Sequence, residues 1–142
     1  MNGSGPGTVR RIHHVAFAHA AGQGPHGRLA ELLGLRVAHT ERAPGMVERM
    51  VPAGDCYLQL LEADGPGVVE KFVDRRGAAL HHVAFEVDGL ATLLTRLRDA
   101  GVRLVDEVPR QGGMGTEIAF VHPTAFDGLL VELVEAAGPV EP

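Results

Sequence analysis

Hydrophobic and polar positions alternate along RIHHVAFAH (11–19), with Val15 and Phe17 on one side and His14, Ala16 and Ala18 on the other. A period of two marks a half-buried strand. ALHHVAFEV (79–87) repeats the pattern and sorts Val83, Phe85 and Val87 from His82, Ala84 and Glu86. In GLATLLTRLRDAG (89–101) the period lengthens: Leu90, Leu93, Leu94 and Leu97 form one stripe, and Gly101 supplies a terminating cap, which predicts an amphipathic helix. PHGRLAELLG (25–34) predicts a shorter one. Strands are expected around 36–42, 46–52 and 56–62, and again around 103–107, 116–121 and 129–135. Pro44-Gly45, Ala53-Gly54-Asp55, Gly65-Pro66-Gly67 and Gly112-Gly113 supply the turns between them.

These elements recur in order because the chain repeats itself. HHVAF returns at an offset of 68 residues, LLGLRV (32–37) is echoed by DAGVRL (99–104), and YLQLLEA (57–63) by LLVELVEA (129–136). Each repeat, 9–66 and 77–137, reads as βαβββ. A four-stranded sheet with one helix leaves a face short of cover, so the two modules are expected to pair into a curved, barrel-like mixed sheet, an α+β fold in one domain spanning 9–137. The Gly- and Pro-rich ends, 1–8 and 138–142, are expected to be flexible.

Composition narrows the function. With 45% hydrophobic residues, few aromatics and no Trp, the core is built from Val, Leu, Ala and Met. A net charge of -5 argues against a nucleic-acid or anionic-membrane partner. Cys56 is the only cysteine, which leaves no disulfide framework or cysteine zinc cluster and points to the cytoplasm. No apolar run approaches the length of a membrane span.

The polar residues on the strands carry the chemistry. The period of two places His14 and His82 beside small residues, Gln59 with Tyr57 and Leu61, and Glu132 with Leu130 and Val134. Burying such groups without partners costs several kcal/mol. A single strand His or Gln is commonly a hydrogen-bonded structural residue, but recurrence at equivalent places in both repeats favours one divalent cation held by His14, Gln59, His82 and Glu132. Cobalt, manganese, zinc and nickel all suit that set. His13 and His81 face the other way and are expected to be structural. Glu48 shares its strand face with Met46 and Met50, a desolvated setting that suits a general base. The alternative is an ion pair with Arg49 or Arg42.

IHHVAF, GLRVAHTE, PGMVERMVPAGD, LQLLEA, RRGAALHHVAFEVDGL, LRDAGVRLVDEVPRQGGMG, FVHP and LLVELVE together resemble the vicinal oxygen chelate superfamily and, within it, the methylmalonyl-CoA epimerases, from about Ile12 to Glu135. The resemblance implies a glyoxalase-like fold, a homodimer, and metal-assisted interconversion of the (2R) and (2S) thioesters through an enolate. It puts the ligands on His14, Gln59, His82 and Glu132, the catalytic base on Glu48 and the second acid or base on Glu132. The acyl-CoA phosphates would call on Arg75, Arg76 or Arg110. The GGMG loop (112–115) is either a source of backbone N–H groups or a plain turn.

The chain departs from that family in three places. HAAGQGPHGRLAELLG (19–34) lacks the usual acidic cap and paired aromatics, TAFDG (124–128) replaces a Lys and small hydroxyl residues, and His13 stands where Asp is usual. The alternatives are an epimerase of another 2-substituted malonyl thioester, a glyoxalase-type lyase, and a metal-free small-molecule-binding protein. An extradiol dioxygenase would have no use for Glu48.

Overall fold

A computed structural model describes residues 5–136. The elements, in order, are β1 (Thr8–His19), α1 (His26–Leu33), β2 (His39–Ala43), β3 (Gly45–Ala53), β4 (Cys56–Asp64), α2 (Val68–Arg76), β5 (Ala79–Asp88), α3 (Leu90–Asp99), β6 (Arg110–Gln111), β7 (Glu117–Val121) and β8 (Val131–Glu135). They fall into two compact units, one running from His14 to His81 and the other made of the described residues up to His13 and from His82 onward. No helix among the described residues is long and apolar enough to cross a membrane.

In the His14–His81 unit the strand order is β2-β3-β4-β1. β1 runs parallel to β4, while β3 is antiparallel to both β2 and β4. The register sets Ala16 beside Gln59 and Ala18 beside Leu61. Ala16 and Ala18 form a buried cluster with Leu61, Ala63 and the α2 residues Val69 and Phe72. Helix α2 lies in the stretch between the repeats and has no counterpart in the sequence expectation. Its apolar positions, Val69, Phe72 and Val73, recur at helical spacing over a single short stretch, and the flanking Gly67 and Gly77 mask the signal. His81 packs edge-on against Phe72, with ring centroids 4.7 Å apart.

The other unit orders its strands β5-β8-β7-β6. Here the bulky face of β5 meets its helix as expected: Val87 clusters with Leu90 and Leu94 of α3 and with Val121, Val131 and Leu133. Fully burying each of those leucines contributes about 1.5–3 kcal/mol. The N-terminus of α3 is held by the buried Glu135, whose carboxylate accepts from Leu90 N at 2.7 Å and Gly89 N at 3.3 Å. Gly89 itself cannot be replaced cheaply, since a Cβ there would lie 2.2 Å from the Gly5 carbonyl oxygen. That contact belongs to an anchored N-terminal segment. Gly7 N donates to Asp88 O, and Arg96 donates to the carbonyls of Pro6 and Gly7. Of the ends expected to be flexible, then, residues 5–8 are tied to the fold, with Thr8 already in β1. Residues 1–4 and 138–142 lie outside the described residues.

The strand expected at 103–107 does not form. Only Leu104 bridges to Val121, and the edge strand is the two-residue β6. Two features end the ladder early. Val105 N and Asp106 N both point at Phe120 O, the pattern of a bulge, and the Asp106 carboxylate takes Phe120 N–H at 2.8 Å. Pro109 then removes a further donor.

Candidate active site

In the first unit, strand pairing assembles three of the expected site residues on one face. His14 sits on β1, Gln59 on the neighbouring β4 and Glu48 on β3, where Met50 faces Gln59 and Glu48 faces Leu61. His14 and Gln59 are buried and Glu48 is half-buried. Gln59 Nε2 donates to Glu48 Oε1 at 3.2 Å. Because a carboxylate only accepts, this bond fixes the amide's orientation and turns its oxygen away from Glu48. That oxygen is buried and has no hydrogen-bond partner among the described residues. The arginines considered as partners for Glu48 are committed elsewhere. Arg49 reaches Glu62 at 2.5 Å and Arg42 reaches Asp64 at 3.1 Å.

In the second unit, His82 on β5 and Glu132 on β8 are both buried. The register pairs Ala84 with Glu132, which brings His82 Nε2 within 3.2 Å of Glu132 Oε1. Phe120, directly across from Glu132 on β7, meets the His82 ring edge-on at 5.2 Å and 87°. Arg110 lies over the Phe120 ring at 5.7 Å and donates through Nε to Asp106 at 3.0 Å. The same Asp106 carboxylate therefore secures both the Phe120 backbone and the Arg110 guanidinium. Neither Phe120 nor Asp106 was singled out in the sequence. Phe120 was accessible to the period-two rule as the same-face neighbour of Glu132, whereas Asp106 lay in a stretch read as strand.

Of the three arginines considered for an anionic substrate, only Arg110 adjoins a ring touching an expected ligand. Arg76 stacks over Phe72 at 5.8 Å, and Arg75 shares the last turn of α2. The GGMG loop forms a 3-10 turn at Gly113–Gly115 whose Gly112 and Thr116 N–H groups are bonded within the loop, as in an ordinary turn. The divergent TAFDG segment is similarly self-contained. His122 Nδ1 accepts Thr124 N, and Asp127 takes a left-handed conformation at the end of the 3-10 turn Pro123–Phe126.

The donor chemistry fits a divalent cation. His14, His82 and Glu132 are all buried and are the residue types that hold such an ion, and the buried Gln59 oxygen, without a hydrogen-bond partner among the described residues, is a donor of the same class.

A family model for the Glyoxalase/Bleomycin resistance protein/Dioxygenase superfamily matches residues 12–120. The chain belongs to that superfamily. The uncharacterized protein YqjC of Bacillus subtilis is 35% identical over 135 residues, covering 92% of this chain and 95% of that one. The ethylmalonyl-CoA/methylmalonyl-CoA epimerase of Cereibacter sphaeroides is 28% identical over 130 residues, covering 88% of this chain and 97% of the relative. Among solved structures, the methylmalonyl-CoA epimerase of Streptomyces coelicolor, in complex with 2-nitronate-propionyl-CoA, aligns with a TM-score of 0.85 and 33% identity. It covers 95% of this chain and 100% of the other. The glyoxalase-like fold that the resemblance implied is thus the fold of the chain, and the Cereibacter sphaeroides and Streptomyces coelicolor proteins it matches are both named as epimerases of malonyl-CoA thioesters.

Proposed function

We propose that this protein is a metal-dependent methylmalonyl-CoA epimerase, interconverting the (2R) and (2S) forms by removing the C2 proton and returning it to the opposite face. His14, Gln59, His82 and Glu132 hold the cation, and Glu48 and Glu132 are the two acid/base groups. The observation that carries this reading is the Gln59 amide, which keeps its oxygen bare for a cation while its nitrogen binds the carboxylate that would do the proton transfer.

The chain's residues then divide the work. Glu48 accepts the C2 proton on one side, the C–H electron pair delocalising into the thioester carbonyl, and no oxidant or reductant is needed. Gln59 N–H holds Glu48 in one orientation. Glu132 serves the opposite face, and His82, wedged by Phe120, keeps the neighbouring donor aligned. Arg110 is the cationic group for the substrate's negative charge. A divalent cation held by His14, Gln59, His82 and Glu132 would supply neutralisation of the negative charge that develops on the substrate.

The name of the Cereibacter sphaeroides relative favours one further reading, that ethylmalonyl-CoA is also accepted. Proton NMR in deuterium oxide, with methylmalonyl-CoA, ethylmalonyl-CoA and the glutathione–methylglyoxal adduct run side by side, separates these readings from a glyoxalase-type lyase. Loss of the C2 proton signal from the malonyl thioesters supports the epimerase. Turnover of the adduct alone overturns it. The cytoplasmic setting and the homodimer belong to the same proposal; the free thiol of Cys56 supports the first, and sedimentation velocity tests the second.

A further inference from the structure

The two repeats solve one packing problem in different ways. In the second unit Val87, near the end of β5, and Leu94 of α3 lie in the same buried apolar cluster. The strand offset of 68 residues makes His19 the counterpart of Val87, and the helix offset of 67 set by LLGLRV and DAGVRL makes His26 the counterpart of Leu93, which packs against that cluster. An apolar contact between strand and helix has become a pair of imidazoles.

His19 is 1% exposed. Its Nδ1 lies 3.0 Å from Ala20 O, and since a carbonyl only accepts, Nδ1 carries the proton and Nε2 carries a lone pair. A backbone carbonyl fixing one ring nitrogen is the usual support of a metal-ligating histidine. Nε2 is buried and has no hydrogen-bond partner among the described residues, and the same holds for His26 Nδ1. The two rings stand 6.5 Å apart at 28°. Gly24 packs directly against the His19 ring, where a Cβ would lie 2.5 Å from Cε1 and 2.6 Å from Nε2. Negative charge is close as well. Glu62 is the register partner of His19 on β4, and its carboxylate, bonded to Gly22 N at 2.8 Å and to Arg49, sits below the usual carboxylate range because of those two bonds.

Helix α1 needs such a fastening. Its counterpart α3 buries Leu90 and Leu94, whereas α1 buries no residue and leaves Leu32 61% and Leu33 67% exposed. Two unpartnered imidazole nitrogens would only weaken the attachment further.

We propose that His19 and His26 form a second cation site, distinct from the four-residue set, that takes a borderline divalent ion of the zinc or nickel class and staples α1 to the sheet. Imidazole nitrogen suits these ions, and each ring offers one nitrogen without a hydrogen-bond partner among the described residues as the donor for a Zn–N bond of about 2.0–2.1 Å. Solvent completes the coordination from the side of the half-buried His26. Metal binding then supplies the attachment that α1 lacks in apolar burial.

The test is zinc stoichiometry by elemental analysis after desalting, combined with hydrogen exchange of the α1 amides with and without zinc. His19→Val and His26→Leu install the residues of the second repeat, and Gly24→Ala drives a methyl group against the His19 ring and displaces Nε2. Each variant is expected to hold one zinc equivalent fewer than wild type, and zinc is expected to slow α1 exchange at least tenfold in wild type and not in the variants. His82→Ala, which removes a ligand of the other set, is expected to keep the zinc-dependent slowing. Equal zinc in wild type and His26→Leu, or an α1 exchange rate indifferent to zinc in wild type, overturns the proposal. Should His19→Val fold poorly, the His26→Leu and Gly24→Ala results decide the question.

Discussion

Gln59 donates through Nε2 to Oε1 of Glu48 across 3.2 Å, from β4 to β3. One bond thereby couples the residue expected to bind a cation to the residue expected to move a proton, and the backbone register that brings them together is antiparallel pairing of Met50 with Gln59. Replacing the amide separates these two duties. Gln59→Glu keeps an oxygen donor but loses the N–H and sets two carboxylates side by side, which then share a proton instead of both ionising. The variant is expected to retain its metal. Its α-proton exchange is expected to slow, with the acid limb of the pH–rate profile displaced upward. An unchanged pH profile would show that Gln59 does not act on Glu48.

The cap on α3 gives a prediction about stability alone. Glu135 is buried and accepts two backbone N–H bonds at the start of the helix. Its charge also complements the positive end of the helix dipole. Glu135→Ala leaves those donors unsatisfied and is expected to cost about 1–3 kcal/mol in urea unfolding. Metal content should be unaffected.

Glu62 provides a pH dependence with a defined sign. Its pKa is lowered by the Gly22 N–H bond and then by Arg49, against an opposing effect of burial. A carboxylate depressed in the folded state contributes stability that is fully present above its unfolded pKa and is lost as the pH falls through the folded one. Glu62→Gln is therefore expected to be less stable than wild type near neutrality, and the two should converge as the pH drops below the ordinary carboxylate range. Thermal unfolding of both proteins over that window measures it. A constant difference at every pH would assign the effect to packing instead.

These predictions rest on parts of the molecule that were unequally legible in the sequence. Strand alternation and duplication were enough to single out His14, Gln59, His82 and Glu132 as polar residues that the fold buries, because a polar residue in a period-two apolar run has few places to go. Glu48 was legible for the same reason, between two methionines. The segment after β5 was harder. Asp106 replaces a ladder bond with a side-chain bond to Phe120 N, and no periodicity announces a carboxylate acting as backbone. Helix α2 was missed because its apolar stripe spans barely two turns. The His19–His26 pair was visible as a departure from the family pattern in 19–34, but its meaning depended on Gly24 and on the tautomer fixed by Ala20 O, neither of which a strand pattern encodes.

The central claim is that Glu48 removes the C2 proton of a malonyl thioester at a metal held by the other four residues. The most direct measurement is C2 proton–deuterium exchange of methylmalonyl-CoA, followed by proton NMR with metal-loaded wild type and Glu48→Gln, and with the metal content of both samples determined in parallel. Wild type is expected to exchange rapidly and the variant to lose on the order of 10²–10⁴-fold, as for removal of a general base, with the metal retained. Exchange at the wild-type rate in metal-loaded Glu48→Gln, or none in metal-loaded wild type, would contradict it.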